Sequence, residues 1–98
     1  KAPAFPGGQK AMMEYLMKNI KYPAICQEMG IQGRVVVGFV VNKDGSIQDV
    51  TVLSSVNEKL DAEAIRVVSS MPAWTPGEMQ GQKVRTKFQL PVTFRLAN

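Results

Sequence analysis

The C-terminal end of the chain, Lys83 to Asn98, alternates between apolar and polar side chains. One side carries Val84, Thr86, Phe88, Leu90, Val92, Phe94 and Leu96, and the other carries Lys83, Arg85, Lys87, Gln89, Thr93 and Arg95. A period of two predicts a strand with one buried face. The polar side also holds Pro91, which has no N–H to donate and is tolerated mainly at a sheet edge or a bulge. We therefore predict that the chain ends in a long edge strand.

An open strand edge is a row of unpaired backbone donors and acceptors, and it has two common fates. It is either protected against unwanted pairing or used to bind an extended partner by strand addition. The residues Lys83, Arg85, Lys87 and Pro91 are also those that a protected edge would carry. The pattern alone leaves both interpretations open.

Length and composition indicate one globular domain. The 98 residues are 45% hydrophobic and 20% charged, which suits a single modest core. The opening Lys1-Ala-Pro-Ala-Phe-Pro-Gly-Gly8 is typical of a linker. We therefore expect residues 1–8 to be a linker remnant and residues 9–98 to be the domain. No apolar run approaches the roughly 20 residues that a membrane-spanning helix needs.

The composition also argues against catalytic chemistry. The chain has no histidine and a single cysteine, Cys26, and it shows no phosphate-binding glycine loop and no cluster of metal ligands. We therefore predict a protein that is not an enzyme and uses no cofactor. The net charge of +4 permits an acidic partner. Nucleic-acid binding is not expected, because only Phe39 would offer an aromatic surface for base stacking on the central strands.

Apolar residues at helical spacing predict two amphipathic helices. The first, over 9–20, has Met12, Met13, Leu16, Met17 and Ile20, and the second has Leu60, Ala64, Val67, Val68 and Met71. Tyr22-Pro23 ends the first helix and begins a short one that Gly30 terminates. We expect Asp61 to be the N-cap of the long helix, with a capping box from Ser55 to Glu58 as the alternative start.

Three strands complete the predicted fold. Ile31 to Asn42 is apolar on both faces, which is typical of a central strand. Asp44-Gly45 predicts a hairpin turn to a second strand, Ile47 to Ser54. A helix returning across one sheet face leaves the last strand antiparallel beside the first. The predicted fold is therefore α+β, a three-stranded antiparallel sheet in the order second, first, last, with the helices packed on one face.

Several large side chains have both a structural and a functional interpretation. Trp74 is predicted to be a core anchor. The methionines of the first helix, Met12, Met13 and Met17, are predicted to fill gaps in the core, with an adaptable binding groove as the alternative. Tyr22-Pro23 either packs beside the helix that it begins or forms a contact surface.

Short motifs spread over the chain carry a resemblance to a known family. They are Tyr22-Pro23, Gly33-Arg-Val-Val-Val-Gly-Phe-Val-Val41, Asp44-Gly45, Leu60-Asp-Ala-Glu-Ala64, Ala73-Trp-Thr-Pro-Gly77, Gly81 and Pro91-Val-Thr-Phe-Arg-Leu96. Each motif is weak by itself. Together, in this order and at these spacings, they closely resemble the C-terminal domain of TonB-type energy transducers.

The resemblance implies a periplasmic domain that a long proline-rich linker connects to an inner-membrane anchor. Domains of this family bind the TonB box, a short extended peptide of outer-membrane receptors, which adds a strand to the edge of the last strand. Proton-motive-force energy, supplied through the ExbB and ExbD proteins, then reaches the receptor and drives nutrient import.

Carried onto this chain, the resemblance places the peptide-binding edge between Arg85 and Thr93. Its predicted contact residues are Arg85, Thr86, Lys87, Phe88, Gln89, Leu90, Val92 and Thr93, together with Asn19, Lys21, Tyr22 and Pro23 from the segment around the Tyr-Pro pair. Some family members carry glutamines ahead of that pair, where this chain has Asn19 and Lys21. Since Pro91 lacks a donor, we expect pairing to be confined to the stretch before it.

A second function stays open beside the first. Domains of this kind also occur at the ends of other membrane proteins, so the resemblance is compatible with an assembly or sensory domain. Such a domain would use its edge strand to form a homodimer or to cap itself.

Overall fold

The computed structural model of this protein describes residues 1–96. The helices are α1 (Gly8–Asn19), α2 (Ala24–Glu28) and α3 (Glu58–Ser69), and the strands are β1 (Gly33–Val41), β2 (Ile47–Ser54), β3 (Gly77–Met79), β4 (Gln82–Val84) and β5 (Thr86–Phe94). No helix within residues 1–96 is long and apolar enough to cross a membrane. Ala97 and Asn98, which the alternating pattern assigns to the last strand, lie outside the described residues.

The main sheet has the predicted order. β1 lies at its centre, antiparallel to both neighbours, in the order β2-β1-β5. Gly45, in the turn between β1 and β2, has φ +88°. A Cβ there would lie 2.1 Å from the Trp74 carbonyl oxygen, and the Gly45 carbonyl accepts a 2.8 Å hydrogen bond from the Trp74 N–H. Only glycine fits at this crossing.

The helices cover one face of the sheet, which confirms the predicted α+β fold. That face and the helices contribute the buried side chains Met12, Leu16, Val35, Val37, Phe39, Val41, Leu60, Ala64, Val67, Val68, Leu90, Val92 and Phe94. On the other face of β1, a Cβ on Gly38 would lie 2.8 Å from Leu53 Cδ1. At Gly38, a side chain of the neighbouring strand, rather than a helix, therefore lies over the second face of the central strand.

The start of α3 differs from the prediction. The helix begins at Glu58, and its N-cap is Asn57, whose Oδ1 accepts a 2.8 Å hydrogen bond from the Lys59 N–H. The predicted cap, Asp61, lies a turn further on, and its carboxylate accepts a 3.2 Å hydrogen bond from the Val56 N–H. Asn and Asp both cap helices well, so the position at which the chain leaves β2 decides between them.

The predicted C-terminal strand is in fact two strands. β4 pairs with β3 in a separate two-stranded sheet, closed by a turn in which Gln80 and Gly81 have φ +52° and +78°. Arg85 separates β4 from β5. β1 ends at Val41, opposite Thr86, so residues before Thr86 have no strand of the main sheet beside them and pair locally. Both pieces are extended, and the side-chain alternation therefore does not reveal the break.

Residues 1–8 pack on the rest of the chain. Phe5 is buried, and its ring centroid lies 6.0 Å from that of Trp74, which is itself 4% exposed and confirmed as a core anchor. Ala4 and Thr75 exchange two backbone hydrogen bonds of 3.0 and 2.7 Å. The division of the chain at residue 8 into a linker remnant and a domain stays a prediction.

Candidate functional site

The outer side of β5 is a regular, unpaired strand edge. β5 pairs with β1 over nine consecutive residues, from Thr86 to Phe94, without a register shift. Within residues 1–96, no strand pairs with its other side. We call the outward backbone groups of Thr86–Phe94 the β5 edge. Such an edge is a template for one more strand.

Pro91 shows which backbone groups point outward. Its position opposite Val36 lies within an unbroken register, and a proline can occupy such a position only where its nitrogen faces away from the neighbouring strand. Backbone direction alternates along a strand, so the N–H groups of Lys87, Gln89 and Thr93 also face outward. Pro91 therefore interrupts the row of donors at one position, with a free donor on either side of it, so the missing donor does not by itself restrict pairing to the stretch before Pro91.

The opposite edge of the same sheet is irregular. The pairing of β2 with β1 shifts register between Val36 and Val37 and again between Gly38 and Val40. Asp49 in β2 has φ +56°. Bulges bend and twist an edge strand and make it a poor template for pairing. The β5 edge is therefore the better candidate for strand addition.

Two grooves run between α1 and the β5 edge and meet at Pro91. The Tyr22 groove, about 240 Å³, is lined by Met13, Leu16, Met17, Ile20, Tyr22, Pro91, Thr93, Phe94 and Arg95. The Trp74 groove, about 340 Å³, is lined by Pro3, Ala4, Phe5, Gln9, Met12, Trp74 and Phe88 to Pro91. The N-terminal end of α1 thus lies beside the first half of β5 and its C-terminal end beside the second half.

The side chains of β5 divide between the core and the solvent. Leu90 and Val92 are buried, and Phe88 packs against Trp74 with ring centroids 5.1 Å apart. Lys87, Gln89 and Thr93 have exposed side chains, and their backbone groups belong to the β5 edge. Leu90 and Val92, whose side chains are buried and whose backbone groups face β1, therefore offer a guest strand no hydrogen-bonding group.

The first two residues of the predicted edge lie apart from the two grooves. Arg85 precedes β5, and its Nε donates a 3.0 Å hydrogen bond to the Asn42 side chain. Thr86 is half-buried opposite Val41. Both residues lie at the end of the β1–β2 hairpin.

Tyr22 reaches the β5 edge, and Pro23 does not line either groove. The Tyr22 ring meets the Phe94 ring edge-on, with centroids 5.6 Å apart, and its hydroxyl donates to the Ile31 carbonyl. Burial, and to a smaller extent Cys26, raises the pKa of Tyr22 above its ordinary 10.0. Pro23 is the N-cap of α2.

Asn19, the last residue of α1, and Lys21, which lies just beyond it, contact α3 through their backbone groups. The Asn19 carbonyl accepts a 2.8 Å hydrogen bond from Arg66 Nη2, and the Lys21 N–H donates a 2.7 Å bond to Glu63 Oε2. Glu63 and Arg66 form a bidentate ion pair with two 2.7 Å contacts. This pair, chiefly through the Arg66 hydrogen bond, holds the pKa of Glu63 below its ordinary value. The twelve predicted peptide contacts all stay predictions.

Several groove residues escape prediction from sequence. Phe5 and Gln9 line the Trp74 groove, but residues at the entry of a domain carry no pattern that points to a distant strand. Met13 and Met17 line the Tyr22 groove, with 49% and 81% of their surface exposed. This exposure favours the groove interpretation over core filling for these two methionines, whereas Met12 is buried as predicted. Among residues 1–96, no group of three or more His, Cys, Asp or Glu side chains could hold a metal ion.

Comparisons with known proteins agree with this geometry. Residues 18–96 match the family described as Gram-negative bacterial TonB protein C-terminal. Protein TonB of Helicobacter pylori is 35% identical over 65 residues, which cover 58% of this chain and 23% of that protein. Protein TonB of Pseudomonas aeruginosa is 40% identical over 53 residues, covering 54% of this chain and 15% of that protein. The chain therefore spans less than a quarter of the length of these relatives.

A solved structure shows the same fold. The solution structure of the Helicobacter pylori TonB C-terminal domain superimposes with a TM-score of 0.67 at 22% identity, covering 88% of this chain and 78% of the other. The family match over residues 18–96 includes α3, the three strands of the main sheet and the whole β5 edge. The chain therefore belongs to the TonB C-terminal family, a family of interaction domains rather than enzymes.

Proposed function

We propose that this protein is the periplasmic coupling domain of a TonB-type energy transducer. In this proposal it binds the TonB box of outer-membrane receptors by strand addition to the β5 edge and so supports active nutrient import. Family membership and the unpaired, regular β5 edge support the proposal. An inner-membrane anchor, a proline-rich linker and the ExbB and ExbD partners belong to the same proposal, through a region N-terminal to the domain.

The observation that carries the proposal is the row of outward backbone groups on β5. The carbonyls of Lys87, Gln89, Pro91 and Thr93 and three of the four N–H groups are available to a guest. Four to six new hydrogen bonds, each about 1 kcal/mol net, less the cost of ordering the peptide, give a dissociation constant of about micromolar. Binding of that strength is reversible, as a transducer that cycles between receptors requires.

Amide measurements on the labelled domain test the proposal. Peptides from the N-terminal segments of candidate receptors are titrated in, and hydrogen exchange is recorded before and after. We expect the amides of Lys87, Gln89 and Thr93 to shift and to gain protection with peptide. The amides of Phe88, Leu90 and Val92 face β1 and should be protected from the start, so they are an internal control.

The same measurement separates transduction from assembly. A domain that dimerises through its edge strand would protect the Lys87, Gln89 and Thr93 amides without any peptide, in proportion to protein concentration. If the protein elutes as such a dimer and no receptor peptide shifts these amides, the transducer proposal is wrong.

A further inference from the structure

We infer that the two exposed methionines of α1 select the guest peptide, by contacting apolar side chains at two alternating positions. This inference rests on the proposed function and names the class of segment that the site takes. The methionine wall, Met13 and Met17, lines the Tyr22 groove beside the second half of the β5 edge. Met17 is 81% exposed and Met13 is 49% exposed, so neither is needed to fill the core.

The direction of guest side chains follows from the pleat of the sheet. A strand added to β5 continues the sheet, and its side chains point alternately to the helix-covered face and to the open face. On the helix-covered face they enter the Tyr22 groove, where Leu16, Ile20 and Phe94 complete an apolar lining. On the open face they lie beside Gln89 and Thr93, which are exposed and polar.

The spacing of the methionine wall matches the spacing of the guest. Met13 and Met17 are one helical turn apart, about 6 Å along the axis of α1. Alternate side chains on one face of a strand are about 6.6 Å apart. Because α1 runs in the same direction as β5 along the two grooves, one methionine faces each of two successive groove-facing guest side chains.

The chemistry of methionine determines how strict this selection is. An unbranched thioether adapts to differently shaped apolar groups, whereas a branched side chain holds one shape. The methionine wall therefore accepts aliphatic or aromatic residues at both guest positions but excludes charged ones, which would lose their hydration. On the open face, Lys87 is exposed, and no ion pair within residues 1–96 involves it. The guest is thus a segment with apolar residues at two alternating positions and polar or acidic residues between them.

Substitution of the methionine wall tests the inference with the receptor peptide that binds most tightly. Met13→Gln with Met17→Gln keeps side-chain length but adds a polar amide, and we expect about tenfold weaker binding. The matched control is Met29→Gln with Met79→Gln, at two methionines that are each 67% exposed and lie outside both grooves. We expect less than about a twofold change for the control, since exposed substitutions away from a site have small effects.

A double-mutant cycle assigns the contact to one guest position. Met17→Gln is combined with replacement of each apolar peptide residue by serine, and we expect non-additivity of about threefold or more at one position. Met13→Leu with Met17→Leu should keep binding within about threefold. If the wild type binds a peptide and the Met13→Gln, Met17→Gln variant binds it as tightly as the control variant does, only the selection by the methionine wall is wrong. If no peptide binds the wild type, both the proposed function and this inference are wrong.

Discussion

The two edges of the main sheet differ in their backbones as well as in their side chains. The β2 edge has two register shifts and the positive φ of Asp49, whereas the β5 edge keeps one register over nine residues. One edge is therefore a poor template for a further strand, and the other is a good one. A small domain can thus prevent uncontrolled pairing on one side while keeping the other available for a partner.

The helices reinforce this difference. α3 packs on β1 and β2 through the fully buried side chains Leu60, Val67 and Val68. α1 lies along β5 and leaves Met13 and Met17 exposed beside the free backbone. β2 itself has no buried residue, whereas β5 and α1 bury Met12, Leu16, Leu90, Val92 and Phe94 and also border an accessible groove.

The largest expected effect is at Gly45, in the turn between β1 and β2, where the chain crosses Trp74. Gly45→Ala would place a Cβ 2.1 Å from the Trp74 carbonyl oxygen at φ +88°, so we expect the free energy of unfolding to fall by about 3 kcal/mol or more. Gly81→Ala is the control, because Gly81 has φ +78° and open space around it, and it should cost about 1 kcal/mol. Urea denaturation gives both values. Equal losses of unfolding free energy in the two variants would show that the close approach to the Trp74 carbonyl adds nothing to the cost of Gly45→Ala.

The next effect concerns the β5 edge alone. Gln89→Pro removes an outward N–H and leaves the pairing with β1 in place. A guest carbonyl then stays unpaired, and we expect peptide affinity to fall about tenfold or more. Gln89→Ala keeps the N–H and should bind nearly as well as the wild type. Isothermal titration calorimetry measures the peptide affinity of the two variants. Similar affinities would contradict the assignment of Gln89 as an outward donor.

A smaller effect tests the β2 edge. Asp49 has φ +56°, which a β-branched residue adopts only with strain, so Asp49→Val should lower the free energy of unfolding by about 1–2 kcal/mol. Asp49→Gly should cause no such loss. Thermal and urea denaturation measure the difference. Peptide affinity should be unchanged in both variants, and a loss of binding in either would couple the two edges.

The smallest effect concerns the ion pair that holds the C-terminal end of α1. The pKa of Glu63 is lowered from 4.5 by Arg66, so the pair stabilises the fold above that pH, and its contribution disappears as the pH falls through the folded pKa. Since the Arg66 side chain is 48% exposed, we expect Glu63→Gln to cost about 1 kcal/mol or less at neutral pH. The cost should shrink towards pH 3. Urea denaturation of both proteins at pH 7 and pH 3 gives the comparison, and a cost independent of pH would exclude the ionic contribution.

Much of the fold could be predicted because its signals are local. The alternation in β5, the apolar run of β1 and the Asp44-Gly45 turn each lie within a few residues, and together they limit the possible strand orders. The break at Arg85 could not be predicted in this way, because both β4 and β5 are extended. The N-cap at Asn57 was missed for a related reason, since three neighbouring residues could cap the helix and only the path of the chain decides among them.

By itself, the sequence determined the α+β class, the sheet order β2-β1-β5 and the edge position of the last strand, because residue periodicity reports which faces are buried. Only the tertiary structure decided what stands beside the β5 edge. It brought Met13 and Met17 to the second half of the strand and placed Asn19 and Lys21 against Glu63 and Arg66. Periodicity indicates that a helix face is apolar but does not identify the surface it meets, since that depends on packing between segments far apart in the chain.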